Sequence, residues 1–142
     1  MGKEAVLGAW RLAHFEYRAA DGTAFKPYGE EPLGILIYEP GGYMSGMIGK
    51  KGRKNISVED LGRISEAEKL SLAEGYMAYA GRYEVLDDRV LHSIQASFIP
   101  NWIGTQFTRF YRFEEGRLLL QTPPTNFRGR DFVGYLTWER AE

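Results

Sequence analysis

The chain has 142 residues and a net charge of −1 at pH 7, long enough to bury the core of one domain and too nearly neutral to be drawn to nucleic acid or anionic membrane by charge alone. It has no cysteine, which excludes a disulfide frame, a thiolate nucleophile and a cysteine-based metal site. Aromatic residues make up 14% and glycines number 17, a composition suited to strands joined by tight turns.

The opening Met1-Gly2-Lys3-Glu4-Ala5-Val6 lacks the apolar core of a secretory signal, and Val6 does not complete a myristoylation motif. No run reaches membrane-spanning length. A soluble cytoplasmic protein is expected, in which the Asn55-Ile56-Ser57 sequon has no function. Residues 6–17 predict a first strand, followed by an Asp21-Gly22 turn. Trp10 and Leu12 share one face with His14 and Glu16, while Ala13, Phe15 and Tyr17 share the other. Neither face is clearly polar, so the orientation stays open beyond Trp10.

Residues 25–32 read as loop. Residues 33–39 and 43–48 predict a second and a third strand, joined by the Pro40-Gly41-Gly42 turn. Alternation stops at residues 49–64, where Lys50, Lys51, Arg53 and Lys54 read as a solvated basic loop. Ser65-Glu66-Ala67-Glu68 is a capping-box pattern opening a short helix to about residue 76. Leu70, Ala73 and Met77 form a stripe with Leu72 and Tyr76 beside it, which suggests a lid packed on a barrel opening.

Residues 79–123 hold four runs rich in β-branched and aromatic residues, divided by Asp87-Asp88, by a longer loop with Pro100-Asn101, and by Glu115-Gly116. This is the pattern of an antiparallel meander. One face takes Tyr79, Tyr83 and Val85, then Val90, Ile94, Ala96 and Phe98. It continues with Phe107, Tyr111 and Phe113, then Leu118 and Leu120. His92 and Arg109 fall on the same face. Pairing Val85 with Val90 sets Tyr83 opposite His92. Pairing Phe98 with Ile103 sets His92 opposite Arg109, and pairing Glu114 with Arg117 sets Arg109 opposite Thr122. A polar row of Tyr83, His92, Arg109 and Thr122 results, with Tyr111 two residues from Arg109. A buried guanidinium needs an internal acid such as Glu16, trapped water, or an anionic ligand.

Residues 130–140 predict the last strand, with Phe132, Leu136 and Trp138 on one face. Eight sequential antiparallel strands leave two raw edges unless the last pairs with the first. An all-β, eight-stranded up-and-down antiparallel barrel removes those edges and leaves room for one small ligand.

Leu7-Gly8-Ala9-Trp10-Arg11-Leu12 resembles the opening L-x-G-T-W-x-L of the lipocalin-like domain family of the calycin superfamily, with Ala9 in place of Thr. The resemblance continues through Tyr38-x-x-x-Gly42-x-Met44, Tyr79-x-Gly81-x-Tyr83, His92 and Pro100-Asn101-Trp102-x-Gly104. It ends with Arg109, Leu118-x-Leu120 and the closing Trp138-Glu139-Arg140. It implies one lipocalin-like barrel over residues 1–142, with Trp10 under Arg140 at the closed end as a structural pair. It also implies binding of lipophilic small molecules, although some barrels of this shape are isomerases or cyclases.

The leading expectation is intracellular binding of a lipophilic small molecule with an anionic or carbonyl end. Candidate ligand-binding residues are His92, Arg109, Tyr111, Tyr83, Tyr79, Tyr38, Met44, Phe107 and Trp102. The alternative is an isomerase or cyclase acting on a natural-product intermediate, with His92 as acid/base and Arg109 and Tyr83 stabilising negative charge. A third reading, a protein-interaction module using the basic loop and helix, leaves the inward polar row unexplained. No cofactor or metal is expected, since His14 and His92 are the only histidines and no ligand spacing joins them to acids. Neither nucleic acid nor membrane is expected as a partner. The oligomeric state stays open, a homodimer included.

Overall fold

The computed structural model describes residues 2–57 and 59–141. Its strands are β1 (Gly8–Arg18), β2 (Ala24–Phe25), β3 (Leu33–Tyr38), β4 (Tyr43–Gly49) and β5 (Tyr76–Val85). They continue as β6 (Arg89–Ser97), β7 (Gln106–Glu114), β8 (Arg117–Gln121), β9 (Thr125–Phe127) and β10 (Arg130–Arg140). Two α-helices, α1 (Lys3–Val6) and α2 (Glu66–Ala73), accompany them. Neighbouring strands pair antiparallel in the order β2-β1-β3-β4-β5-β6-β7-β8-β10-β9, and β1 also pairs with β10. That last pairing closes eight of the strands into a barrel, with β2 and β9 as short extensions at its open end. Among the described residues no helix is long and apolar enough to cross a membrane.

The first strand settles its own ambiguity with a bulge. Leu12 pairs with Trp138, but His14 pairs with Thr137, so the register slips between them. Before the slip Trp10 and Leu12 are buried; after it Phe15 is buried and Tyr17 half-buried. One extra residue moves a strand's following side chains to the other face. Both faces of the sequence therefore serve the interior, each at its own end of the barrel.

The closed end is sealed by α1, a helical turn absent from the sequence expectation, which began the first strand at residue 6. Trp10 is buried and donates its indole N–H to the Val6 carbonyl at 2.8 Å. Arg140 lies across the Trp10 ring, 4.0 Å from its centroid, and donates to the carbonyls of Leu7 and Ala5.

Two further expectations need correction. The capping box of Ser65 and Glu68 forms, but α2 ends at Ala73 and buries no side chain. Leu70 is 62% exposed, and Tyr76 and Met77 belong to β5 instead. The helix is held from outside the barrel, by Arg53 donating to the Leu72 carbonyl and Ser57 donating to Glu68. It is therefore not a packed lid. The second correction is in β6, where Ala80 pairs with Ala96 but Gly81 pairs with Ile94, leaving Gln95 as a bulge. Beyond it Ala96 and Phe98 turn outward and are exposed, contrary to the alternation expected of them. Gly81 is required here, because a Cβ at this position would lie 1.9 Å from the Ser93 carbonyl oxygen.

Candidate functional site

The open half of the barrel encloses a cavity of about 140 Å³. An engineered cavity of roughly 150 Å³ in another protein accommodates one benzene ring, so the space suits a flat ring-sized group. Aromatic side chains form much of its wall: Phe15 and Tyr17 from β1, Tyr28 from the loop after β2, Phe107 from β7 and Trp138 from β10. Trp102 reaches the cavity from a single 3-10 turn, Pro100–Trp102, at the open end.

His92 faces this cavity from the middle of β6 and is 2% exposed. Both ring nitrogens are engaged: Nε2 lies 2.7 Å from the Tyr38 hydroxyl and Nδ1 lies 2.7 Å from the Tyr79 hydroxyl. Burial, reinforced by the Arg109 charge, pushes the His92 pKa down to about 3. The imidazole is therefore neutral at pH 7. Burial likewise raises the Tyr38 hydroxyl well above the ordinary phenol range. It raises Tyr79 too, against an opposing pull from Arg109.

Arg109 lines the same cavity, with its guanidinium carbon 5.0 Å from the centroid of the Phe107 ring. It donates to the Thr108 carbonyl at 3.0 Å. Among the described residues it has no carboxylate partner within 4.0 Å. Glu16, the acid considered for that role, is instead paired with Arg18 and with His14, at 3.4 Å from the latter. The indole N–H of Trp138 is buried and has no partner either. Among the described residues, the lining includes no Asp or Glu. The lining thus offers neutral hydroxyls and the Arg109 charge to whatever occupies the cavity.

The register differs from the expected one by two residues between β6 and β7. Tyr83 does pair with His92, but His92 pairs with Phe107, and Arg109 pairs with Val90. The β6–β7 connection is longer than a four-residue loop. The 3-10 turn folds it back, Ile103 donates to the Pro100 carbonyl at 3.1 Å, and β7 opens only at Gln106. A slip of two preserves the face, so both side chains still point inward, but the polar row does not form.

Among the residues singled out from the sequence, the fold brings His92, Arg109, Tyr79, Met44, Phe107 and Trp102 to the cavity. Tyr38 stands behind His92 and reaches the cavity only through it. Tyr83 does not line it; its hydroxyl donates to the Glu39 carbonyl at 2.8 Å near the closed end. Tyr111 does not line it either, and packs against Phe113 with ring centroids 5.9 Å apart. Missing from the sequence-based set were Tyr17, Tyr28 and Trp138. The inward face of the last strand already pointed to Trp138, whereas Tyr17 depended on the bulge and Tyr28 on a loop path that alternation does not describe.

The sequence pattern of the lipocalin-like domain family matches residues 7–141. A curated relative, the 4'-hydroxy-3'-methoxypropiophenone carrier protein ppsC of Aspergillus oryzae (strain ATCC 42149 / RIB 40), is 35% identical over 83 residues, covering 51% of this chain and 75% of the relative. Among solved structures, a lipocalin-like protein from Bacteroides uniformis ATCC 8492 aligns over 96% of this chain and 98% of its own, with a TM-score of 0.48 and 14% identity.

Proposed function

The chain belongs to the lipocalin-like domain family, and on that premise we propose that its cavity binds a flat lipophilic small molecule through a carbonyl or anionic oxygen. The observation that carries this reading is the imbalance of the lining: the Arg109 charge and the Tyr79 hydroxyl, with no Asp or Glu beside them among the described residues. A partly buried cation and a hydroxyl donor with no acid opposite them both gain when an oxygen acceptor arrives. Apolar walls hold the body of the ligand while a few convergent polar groups fix its end. The relative is named as a carrier of a phenolic aryl ketone, which combines a flat ring with an acceptor oxygen. The same class is proposed for this chain, together with a cytoplasmic setting and no membrane or nucleic-acid partner.

The catalytic alternative has less behind it. An acid/base role needs an imidazole nitrogen free to meet substrate and a pKa near the working pH. Both His92 nitrogens are taken by phenols, and its pKa is far below neutrality.

Titration of the protein with 4'-hydroxy-3'-methoxypropiophenone, followed by quenching of tryptophan fluorescence, tests the reading. Saturable binding is expected, with loss of at least about tenfold in affinity in Arg109→Leu, since a charged hydrogen bond is worth about 1.5–3 kcal/mol. Equal affinity of the wild type and Arg109→Leu would remove Arg109 from the site.

A further inference from the structure

The chain of hydrogen bonds from Tyr38 through His92 to Tyr79 has a direction. The Tyr38 hydroxyl is fully buried and, among the described residues, has His92 Nε2 as its hydrogen-bond partner. A phenol has one hydrogen to donate, and a neutral imidazole has one N–H and one bare nitrogen. If Nε2 carried the proton and donated to Tyr38, the phenol's own hydrogen would be buried with no acceptor, an arrangement folded proteins avoid. Tyr38 therefore donates to Nε2. The imidazole proton then sits on Nδ1 and is donated to the Tyr79 oxygen 2.7 Å away. The Tyr79 hydrogen must leave along another direction, and Tyr79, unlike Tyr38, lines the cavity. Each donation in such a chain polarises the next, which strengthens Tyr79 as a donor.

We propose that Tyr38 and His92 are positioning residues that hold the Tyr79 hydroxyl hydrogen toward the cavity, where it and Arg109 take the oxygen of an acidic phenol in its ionised form. This rests on the cavity being the ligand site. A neutral phenol would bring a hydrogen of its own that needs an acceptor. The Tyr79 oxygen already receives one from Nδ1, and among the described residues no carboxylate lines the cavity, which leaves only the neutral Tyr17 and Tyr28 hydroxyls as weaker acceptors. The phenolate needs only donors, and Arg109 offsets its charge. Below the phenol's own pKa, binding accordingly releases one proton to solvent. The ring-sized volume and aromatic wall accommodate the rest of the molecule.

The probe is 4'-hydroxyacetophenone, a phenol made acidic by its para carbonyl, whose ionised form absorbs at longer wavelength. Its absorbance is titrated against pH with and without saturating protein, and fluorescence quenching reports occupancy independently. The midpoint of the phenolate band is expected to fall by about one to three pH units on binding. The 4'-methoxy analogue, which cannot ionise, is expected to bind at least about tenfold more weakly. Nitrogen-15 NMR of the free protein should find His92 protonated on Nδ1. Tyr38→Phe, which alters no lining residue, should shift that proton toward Nε2 and shrink the midpoint shift. An Nε2–H imidazole in the wild-type protein overturns the direction of the chain, whether or not Tyr38→Phe folds. Binding of the probe with an unchanged midpoint, or equal binding of the methoxy analogue, overturns the phenolate while leaving the cavity as a ligand site. If neither compound quenches fluorescence, this proposal and the ligand-site reading fall together.

Discussion

The Arg140 guanidinium lies 4.0 Å from the centroid of the Trp10 ring and donates at the same time to the carbonyls of Leu7 and Ala5. Trp10 donates in turn to Val6. One residue from each end of the barrel sequence thus fastens the helical turn α1 over the closed end. Trp10→Ala is expected to lower stability by about 3–5 kcal/mol through lost burial and an unfilled cavity. Denaturant unfolding measures it, and a loss below about 1 kcal/mol would show that the base of the barrel does not depend on this ring.

Gly81→Ala places a methyl group where the Ser93 carbonyl oxygen now sits, 1.9 Å from an ideal Cβ, and the obstacle is backbone. Strands β5 and β6 cannot both keep their path, so a loss of about 3 kcal/mol or more is expected. Gly34→Ala meets the Leu12 Cβ at 2.8 Å and the Met47 carbonyl oxygen at 3.1 Å and should cost less, because both approaches are longer than the one at Gly81. The two melting temperatures, read side by side, check the order.

His92 gives the stability a pH dependence with a definite sign. Its pKa falls from 6.5 to about 3 on folding, so between those values the unfolded chain binds the proton and the folded one does not. Stability is full above pH 6.5 and declines as pH falls toward 3, by about 1.4 kcal/mol per pH unit within the window. Between pH 6.5 and 4.5 most carboxylates remain ionised, so the slope there belongs mainly to His92. Unfolding free energies at several pH values should show it, and His92→Gln should flatten it even if that variant is weaker at pH 7.

Arg109 makes the opposite kind of contribution. With no carboxylate partner among the described residues, its partly buried charge has the Thr108 carbonyl, the Phe107 face and the Tyr79 hydroxyl beside it. Arg109→Leu in the ligand-free protein is expected to be neutral or stabilising, by up to about 1 kcal/mol. Denaturation midpoints would show a loss of several kcal/mol instead if Arg109 were a structural ion-pair partner.

Helix α2 buries no side chain, whereas β6 buries Val90, His92 and Ile94 and is paired on both sides. Amides of α2 should therefore exchange with solvent well before those of β6. Comparable protection by hydrogen-exchange mass spectrometry would mean that the helix is packed against the barrel in solution.

The barrel was legible in the sequence because closure follows from counting: eight alternating runs, short turns, and edges that must be joined. Hairpins with two- to four-residue turns were equally legible, and Val85–Val90 and Glu114–Arg117 pair as the turn residues dictate. Places where one residue is added without a change in composition were not. Ala13 lies in the β1 slip and Gln95 is the β6 bulge, and neither residue type announces such a position. The β6–β7 offset arose because Pro100–Trp102 winds into a helical turn, which a reading of alternation counts as plain loop. Inwardness of His92 and Arg109 survived that offset because it was even. Their direct cross-strand pairing did not, and Tyr38, on a strand separated from that of His92 by two others, became a partner of His92 instead.

The slip in β1 gives that strand two reading frames, one for the closed end and one for the cavity, with residue 13 as the point of change. Deleting Ala13 would merge them: Trp10, Leu12, Phe15 and Tyr17 would alternate without interruption, and the same four side chains would still face inward. An insertion after His14 would do the reverse, sending Phe15 and Tyr17 to solvent and bringing Glu16 inside with Arg109. The acid that now sits harmlessly beside Arg18 would then be an internal counterion, competing with any ligand oxygen for the Arg109 charge. The chemical preference of the cavity is therefore set as much by the length of β1 as by the residues that line it.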